Sequence, residues 1–293
     1  MAEVDELRTL ARELLSSGEV KAVIGYGAGA RPDRTTPVII TSPVDVDQLV
    51  WNKYCDNNLA TYLTRSDVTR GLKVAIVAKG CDVKSIVGLL QESQITREQI
   101  VVIGMSCDGV APASVPAGLE QSVHERCKFC DVHTPKLQDK LIGKAVAADA
   151  APGKDFYADV DKIESMKPDE RWKFWQEHFD RCIKCYACRQ VCPMCYCKRC
   201  VAEKNQPQWI ATSAHAAGNF AWQAIRAMHL AGRCAGCGAC ERACPQDIPL
   251  MLLNKKMSRE VETQFKYRAG YDPAAAPAVR AFDAAGDSNE MFR

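Results

Sequence analysis

The sequence predicts two unlike halves: an α/β N-terminal domain with a mostly parallel sheet, and a mainly α-helical domain built around cysteines. Three observations carry this. Short β-branched apolar runs alternate with helix-period segments as far as residue 145. Strand signals stop beyond that point. Most of the sixteen cysteines then fall into spaced groups after residue 180.

In chain order, Leu7, Leu10 and Leu14, followed by Gly18, predict a helix over about 4–17. The run VKAVIGY reads as a strand, PVIIT as another, and VDQLVWNKY as a helical stretch. KVAIVAKG is a third strand leading into the helix DVKSIVGLLQES, and IVVIGMS is a fourth strand. Strands separated in this way pack as a parallel sheet covered on both faces. Gly25-Tyr26-Gly27-Ala28-Gly29 follows a strand as a dinucleotide loop would, but RPDRTTP comes next instead of a helix, so the segment reads as a glycine-rich turn.

Residues 146–160 are small and polar and contain Pro152 and Gly153, which places a domain boundary there. The expected organisation is an α/β domain over 1–145, a linker and helix over 146–180, a cysteine domain over 181–255 and an arm over 256–293. Trp172, Phe174, Trp175 and Phe179 read as packing residues of the helix before the cysteines. The Ala-rich segment between the cysteine groups reads as a helix with Ala217, Ala221, Ile225 and Met228 on one face and a stop at Gly232. His215 and His229 read as ordinary helix histidines. The last twenty residues read as an extended arm that needs a partner surface to order it.

Composition narrows the function. The 38 basic and 36 acidic residues leave a formal charge of +2, without the electrostatic footprint that nucleic-acid binding needs. The N-terminus lacks the pattern of an export signal, and no stretch approaches the roughly 18 apolar residues of a membrane span. The expectation is a cytoplasmic protein whose cysteines, in a reducing compartment, ligate metal.

Cys182-x-x-Cys185-x-x-Cys188-x-x-x-Cys192-Pro193 recurs 52 residues later as Cys234-x-x-Cys237-x-x-Cys240-x-x-x-Cys244-Pro245. In such a motif three thiolates on a tight loop cap three irons of one 4Fe-4S cube, and the fourth, before Pro, crosses to the other cube. The assignment is therefore Cys182, Cys185, Cys188 and Cys244 for one cluster, and Cys192, Cys234, Cys237 and Cys240 for the second. Paired structural zinc sites would want separated Cys-x-x-Cys knuckles instead. Arg181, Lys184, Arg189, Lys198 and Arg199 surround the first motif without an acidic residue, either as cations that raise cluster potential and steer a partner, or as a solvated basic face. Cys195, Cys197 and Cys200 remain, and a further metal site completed by Cys55 is one reading of them. In the first half, Cys81 and Cys107 each follow a strand and would emerge at the carboxyl edge of the sheet, where ligands of such folds bind, with Cys127 and Cys130 on a later loop.

Two resemblances follow from these residues. The two motifs, joined by 41 largely helical residues, resemble the α-helical dicluster ferredoxin domain of the iron-sulfur subunits of fumarate and heterodisulfide reductases. GCDVKSIVGLL, IGMSCDG and CKFCDVHTPKLQDKLIG resemble the beta subunit of coenzyme F-420-reducing hydrogenases and the related formate dehydrogenase beta subunits, over about residues 5–145. The second resemblance implies a third 4Fe-4S cluster held by Cys81, Cys107, Cys127 and Cys130, with FAD beside it. This chain departs from that pattern where VDELRTL stands in place of the family's Ser-Gly-Gly and where Asn52 precedes Lys53-Tyr54. Together the resemblances imply an iron-sulfur electron-transfer subunit of a multisubunit complex, relaying electrons between a dehydrogenase or hydrogenase and a heterodisulfide-reductase-like flavoprotein. The alternative is an FAD-containing catalytic subunit acting on a deazaflavin or nicotinamide coenzyme.

Overall fold

In the computed structural model, residues 2–69, 71–112, 123–146 and 154–278 are described. Helix α1 (Ala2–Ser16) buries Leu7, Ala11 and Leu14 and leads into β1 (Ala22–Ala28) and β2 (Thr35–Ile40). The short α2 (Ser66–Thr69) precedes β3 (Val74–Ala78), α3 (Gly80–Gln91), β4 (Ile100–Met105) and β5 (Lys140–Ile142). The sheet order is β2-β1-β3-β4-β5. The pairs β1–β3, β3–β4 and β4–β5 are parallel, whereas β2 lies antiparallel on β1 as an edge strand. Every residue of β3 and β4 is buried, as expected for parallel strands covered on both faces.

Two expectations in this half need correction, and one strand had no expectation. The VDQLVWNKY stretch forms no α-helix: a 3₁₀ helix, Pro43–Gln48, ends before Leu49, whose buried side chain packs into the sheet core. The Gly25–Ala28 segment is neither a turn nor a dinucleotide loop but part of β1 itself. Its glycines admit neighbours, since a Cβ on Gly25 would lie 2.4 Å from Leu49 Cδ2 and one on Gly27 would lie 2.5 Å from Val38 Cγ1. Strand β5, only three residues long, carries too short a pattern to be read from sequence.

The second half is helical: α4 (Ala158–Glu164), α5 (Pro168–Asp180), α6 (Ala187–Gln190), α7 (Ala216–His229), α8 (Ala239–Arg242) and α9 (Leu250–Phe265). Part of the expected linker is thus helix, and residues 147–153 lie outside the described residues. Helix α4 is pinned to α9 by Lys255–Asp159 (2.7 Å) and Lys256–Glu164 (2.7 Å) and by Arg259 on Asp161. The expected arm begins too early at 256, because α9 continues to Phe265. The following residues fold back on the α/β half: Tyr267 Oη donates to Gln91 Oε1 (2.9 Å) and Arg268 pairs with Asp131. Residues 279–293, the last part of the expected arm, lie outside the described residues.

The halves are joined by further polar contacts. Arg233 grips Glu92 at the end of α3 with two bonds of 2.7 and 2.6 Å, and Tyr196 donates to the same carboxylate. Arg242 reaches Asp56 at 3.0 Å. No helix among the described residues is long and apolar enough to cross a membrane.

Candidate functional site

All sixteen cysteines are free thiols. No three metal-binding side chains among the described residues are drawn to the spacing of a single bound ion; the thiols ring cavities instead.

The first ring takes its thiols from both motifs. Cys182, Cys185, Cys188 and Cys244 line one cavity with Ile183, Tyr186, Trp222, Gln223 and Pro245. The tight loop is made by left-handed backbone at Lys184 and Tyr186, and Cys188 sits in the first turn of α6. Gln223 Nε2 donates to Cys182 Sγ at 3.4 Å. Burial, with the neighbouring Cys240, Cys182 and Cys244 thiols, pushes Cys188 up to about 11 despite the opposing pull of Arg226.

The second ring lies near the same buried face of α7, where Arg226 has Cys240 and Cys192 among its electrostatic neighbours. Cys240, in the first turn of α8, has Cys192, Cys234 and Cys237 as its electrostatic neighbours, and burial pushes Cys234 and Cys240 up to about 12. Asn254 Nδ2 donates to Cys240 Sγ at 3.7 Å. Each fourth cysteine therefore stands with the opposite motif, the crossover that a double ferredoxin motif requires.

The third ring lies at the carboxyl edge of the sheet. Cys81 is in the first turn of α3, directly after β3, and Cys107 follows β4; β3 and β4 pair in register up to Ala78 and Gly104. Cys127 and Cys130 come from the 3₁₀ turn Glu125–Phe129 and its end. All four line one cavity with Lys79, Lys84, Arg126, Val132 and Arg268. Gly80 allows this closure, because a Cβ there would lie 1.8 Å from the Val132 carbonyl oxygen. Val110 N–H donates to Cys127 Sγ at 3.5 Å, and the N-terminus of α3 faces the cavity with its positive dipole end. Burial pushes Cys81, Cys107 and Cys130 upward.

Beneath this cavity Lys79 is 1% exposed and donates to Asp82 Oδ2 (2.9 Å), the Asn57 carbonyl (2.7 Å) and Tyr26 Oη. Burial would push its ammonium down, but Asp82 and the Cys81 and Cys107 thiols outweigh that and hold it above its ordinary value. A buried cation beside four thiols suits an anionic cluster, which completes the fit of all three rings to iron-sulfur groups.

The second and third rings adjoin. Ala235 and Gly236, between Cys234 and Cys237, line the cavity of Cys81, Cys107, Cys127 and Cys130, and Cys237 is among the charges felt by Cys81. This adjacency had no signal in the sequence, because it depends on how the halves dock.

The remaining cysteines do not form one site. Cys55 is fully buried near the carboxyl end of β1, held by Asn52 N–H at 3.4 Å. Cys197 lies at the opposite end of the sheet, in a cleft with Leu72, Val74 and Ile100. Cys195 is hydrogen-bonded to Cys192, which lowers Cys195 and raises Cys192, while Cys200 stands beside Tyr186 and Arg189. The four-thiol site of Cys55, Cys195, Cys197 and Cys200 is not assembled, since a sheet separates two of its members. The basic run also divides: Lys184 is buried on the Ala211 carbonyl and Arg189 is buried against Glu203, so neither forms an open basic face. His215 caps α7, accepting from Gly218 N–H at 3.3 Å.

Residues 181–249 match the family model of the 4Fe-4S dicluster domain, so the second half carries such a domain and iron-sulfur clusters with it. The chain is 23% identical to the F420-dependent formate dehydrogenase subunit beta of Methanocaldococcus jannaschii over 92% of this chain and 92% of that protein. It is also 23% identical to the F420-dependent formate dehydrogenase 1 subunit beta of Methanococcus maripaludis, over 92% of this chain and 91% of that one. A chain of the xenon-derivatised F420-reducing [NiFe] hydrogenase complex from Methanosarcina barkeri matches at 20% identity over 35% of this chain and 37% of that chain, with a TM-score of 0.29. The likeness to formate dehydrogenase beta subunits read from the α/β half thus extends along nearly the whole sequence.

Proposed function

We propose that this chain is the iron-sulfur electron-transfer subunit of a formate dehydrogenase- or hydrogenase-type complex, with three 4Fe-4S clusters in a row. The observation that carries this reading is the adjacency of the rings: the loop between Cys234 and Cys237 forms a wall of the α/β thiol cavity, and Arg226 of α7, bonded to the Cys188 carbonyl, has Cys240 and Cys192 among its electrostatic neighbours. Bound clusters supply one-electron chemistry. The chain holds them through Cys81, Cys107, Cys127 and Cys130; through Cys192, Cys234, Cys237 and Cys240; and through Cys182, Cys185, Cys188 and Cys244. It buries Cys182, Cys188 and Cys240, keeps every other one of these thiols except Cys185 at least half-covered, and places cations beside them. Its partners are a dehydrogenase or hydrogenase subunit and a heterodisulfide-reductase-like flavoprotein; the full-length similarity to formate dehydrogenase beta subunits supports the first and the dicluster domain supports the second. Anaerobic purification with associated subunits tests the reading. About twelve irons per chain, from three cubes, are expected; four irons, or copurification with no redox subunit, would overturn it.

One observation favours a flavin-bearing reading as well. A cavity of about 390 Å³, within the range of small-molecule sites, opens beside the α/β thiols between Phe129, Phe156, Tyr157 and Tyr267, with Lys84 and Arg126 among its polar lining. A flavin spectrum released by acid from the purified protein would establish that alternative; its absence from iron-replete protein would remove it.

A further inference from the structure

Helix α7 turns an unusual face to the clusters. Asn219, Gln223 and Arg226, spaced four and three apart, are 1, 2 and 4% exposed, so a polar stripe occupies the buried side of the helix. Asn219 Nδ2 donates to the carbonyls of Phe179 (3.0 Å) and Cys182 (2.8 Å), and Gln223 donates to Cys182 Sγ. Arg226 Nη2 donates to the Cys188 carbonyl at 3.1 Å, and its Nε is buried without a partner. No carboxylate pairs with this guanidinium among the described residues. Its electrostatic neighbours are thiols from both rings: Cys188 of the first, Cys192 and Cys240 of the second, and Cys195.

A buried guanidinium without a counter-ion is strongly unfavourable unless something anionic stands beside it. Two thiolate-ligated cubes, one on each side, are that something. We propose that Arg226 is the shared counter-charge of the two ferredoxin-type clusters, a positioning residue that raises both reduction potentials together. The proposal rests on the dicluster reading. Each cluster gains one electron and one unit of negative charge on reduction, with no bond formed or broken. The fixed cation favours that gain at both sites, while the negative charge added to the first reduced cluster repels an electron arriving at the second.

The test is a redox titration of the anaerobically purified full chain, followed by electron paramagnetic resonance, with iron counted first. Wild-type protein with fewer than eight irons would refute the dicluster reading itself and is thereby separable from failure of this proposal. With the clusters present, Arg226→Gln should disfavour reduction of both dicluster sites by about tenfold, a fall of about 59 mV for each one-electron couple, and leave the Cys81 cluster unchanged. Arg226→Lys, which keeps the charge, should restore most of the loss. A shift at one dicluster site only, no shift at either, or equal shifts in the Gln and Lys variants would overturn the proposal. If Arg226→Gln fails to hold iron, Arg226→Lys decides: wild-type iron and potentials support the shared charge, and loss of iron there too rejects charge in favour of guanidinium shape.

Discussion

Cys244 shows how much a single side chain can reveal. It belongs to the second motif in sequence, yet it lines the cavity of Cys182, Cys185 and Cys188. Cys244→Ser should therefore strip the cluster of the first motif, removing about four irons, while the signal of the Cys234 cluster persists in Mössbauer spectra. Gly80 makes a second residue-scale case. Alanine there would put a methyl 1.8 Å from the Val132 carbonyl and push away the segment that carries Cys130. Gly80→Ala should lower stability by about 1–3 kcal/mol, as overpacking does, and reduce iron at the α/β site before it affects the dicluster sites; denaturant unfolding and iron analysis read the two effects. The thiols that share each cavity were legible because spacing fixes a loop's reach, and because a cysteine after a parallel strand can only emerge at one edge. Arg226 was not legible, since its meaning depends on a helix turn that brings it against the Cys188–Cys192 loop, more than thirty residues before it, as well as the loop that follows.

At the scale of elements, α7 was found but its orientation was not. Periodicity put Ala217, Ala221, Ile225 and Met228 on one face, and that face is not the buried one: Ala217 and Met228 are exposed, Met228 at 65%. The rule that the apolar stripe faces inward failed because the interior here is a ring of thiols and carbonyls, which want donors. The 3₁₀ turn at Pro43–Gln48 was misread for a simpler reason: β-branched and acidic residues in a short run fit either helix type. The ring elements also predict a pH response. In metal-free protein the unfolded thiols ionise near 9, whereas folded Cys188 does so at about 11 and Cys234 and Cys240 at about 12. Above pH 9 the unfolded chain therefore binds fewer protons than the folded one. The stabilising contribution is complete below pH 9 and is lost as pH climbs through 11 to 12, by roughly 1.4 kcal/mol per pH unit for each such thiol. Anaerobic guanidinium denaturation of the metal-free protein at pH 8 and 10.5 should show the decline.

At the scale of the whole molecule, the α/β half and the dicluster half share their walls. A fragment ending near residue 146 keeps Cys81, Cys107, Cys127 and Cys130 but lacks Ala235, Gly236 and Arg268, which close their cavity. The fragment should still bind one cluster, and that cluster should bleach in an iron chelator at least tenfold faster than in the full chain. Equal bleaching rates would show that the docked walls do not shield it. Arg233→Ala, which unties Glu92 at an interface where both side chains are about five-sixths buried, should cost about 1–3 kcal/mol and speed the same bleaching.

The return of the chain after α9 sets an order in time. During synthesis Cys81 through Cys130 leave the ribosome more than a hundred residues before Arg268, which then pairs with Asp131 at the cavity wall. For that interval the pocket is a cup without its lid, open to whatever donor delivers iron and sulfide. Arrival of the segment after α9 ends the interval, so a stretch made later seals a site whose thiols were made earlier.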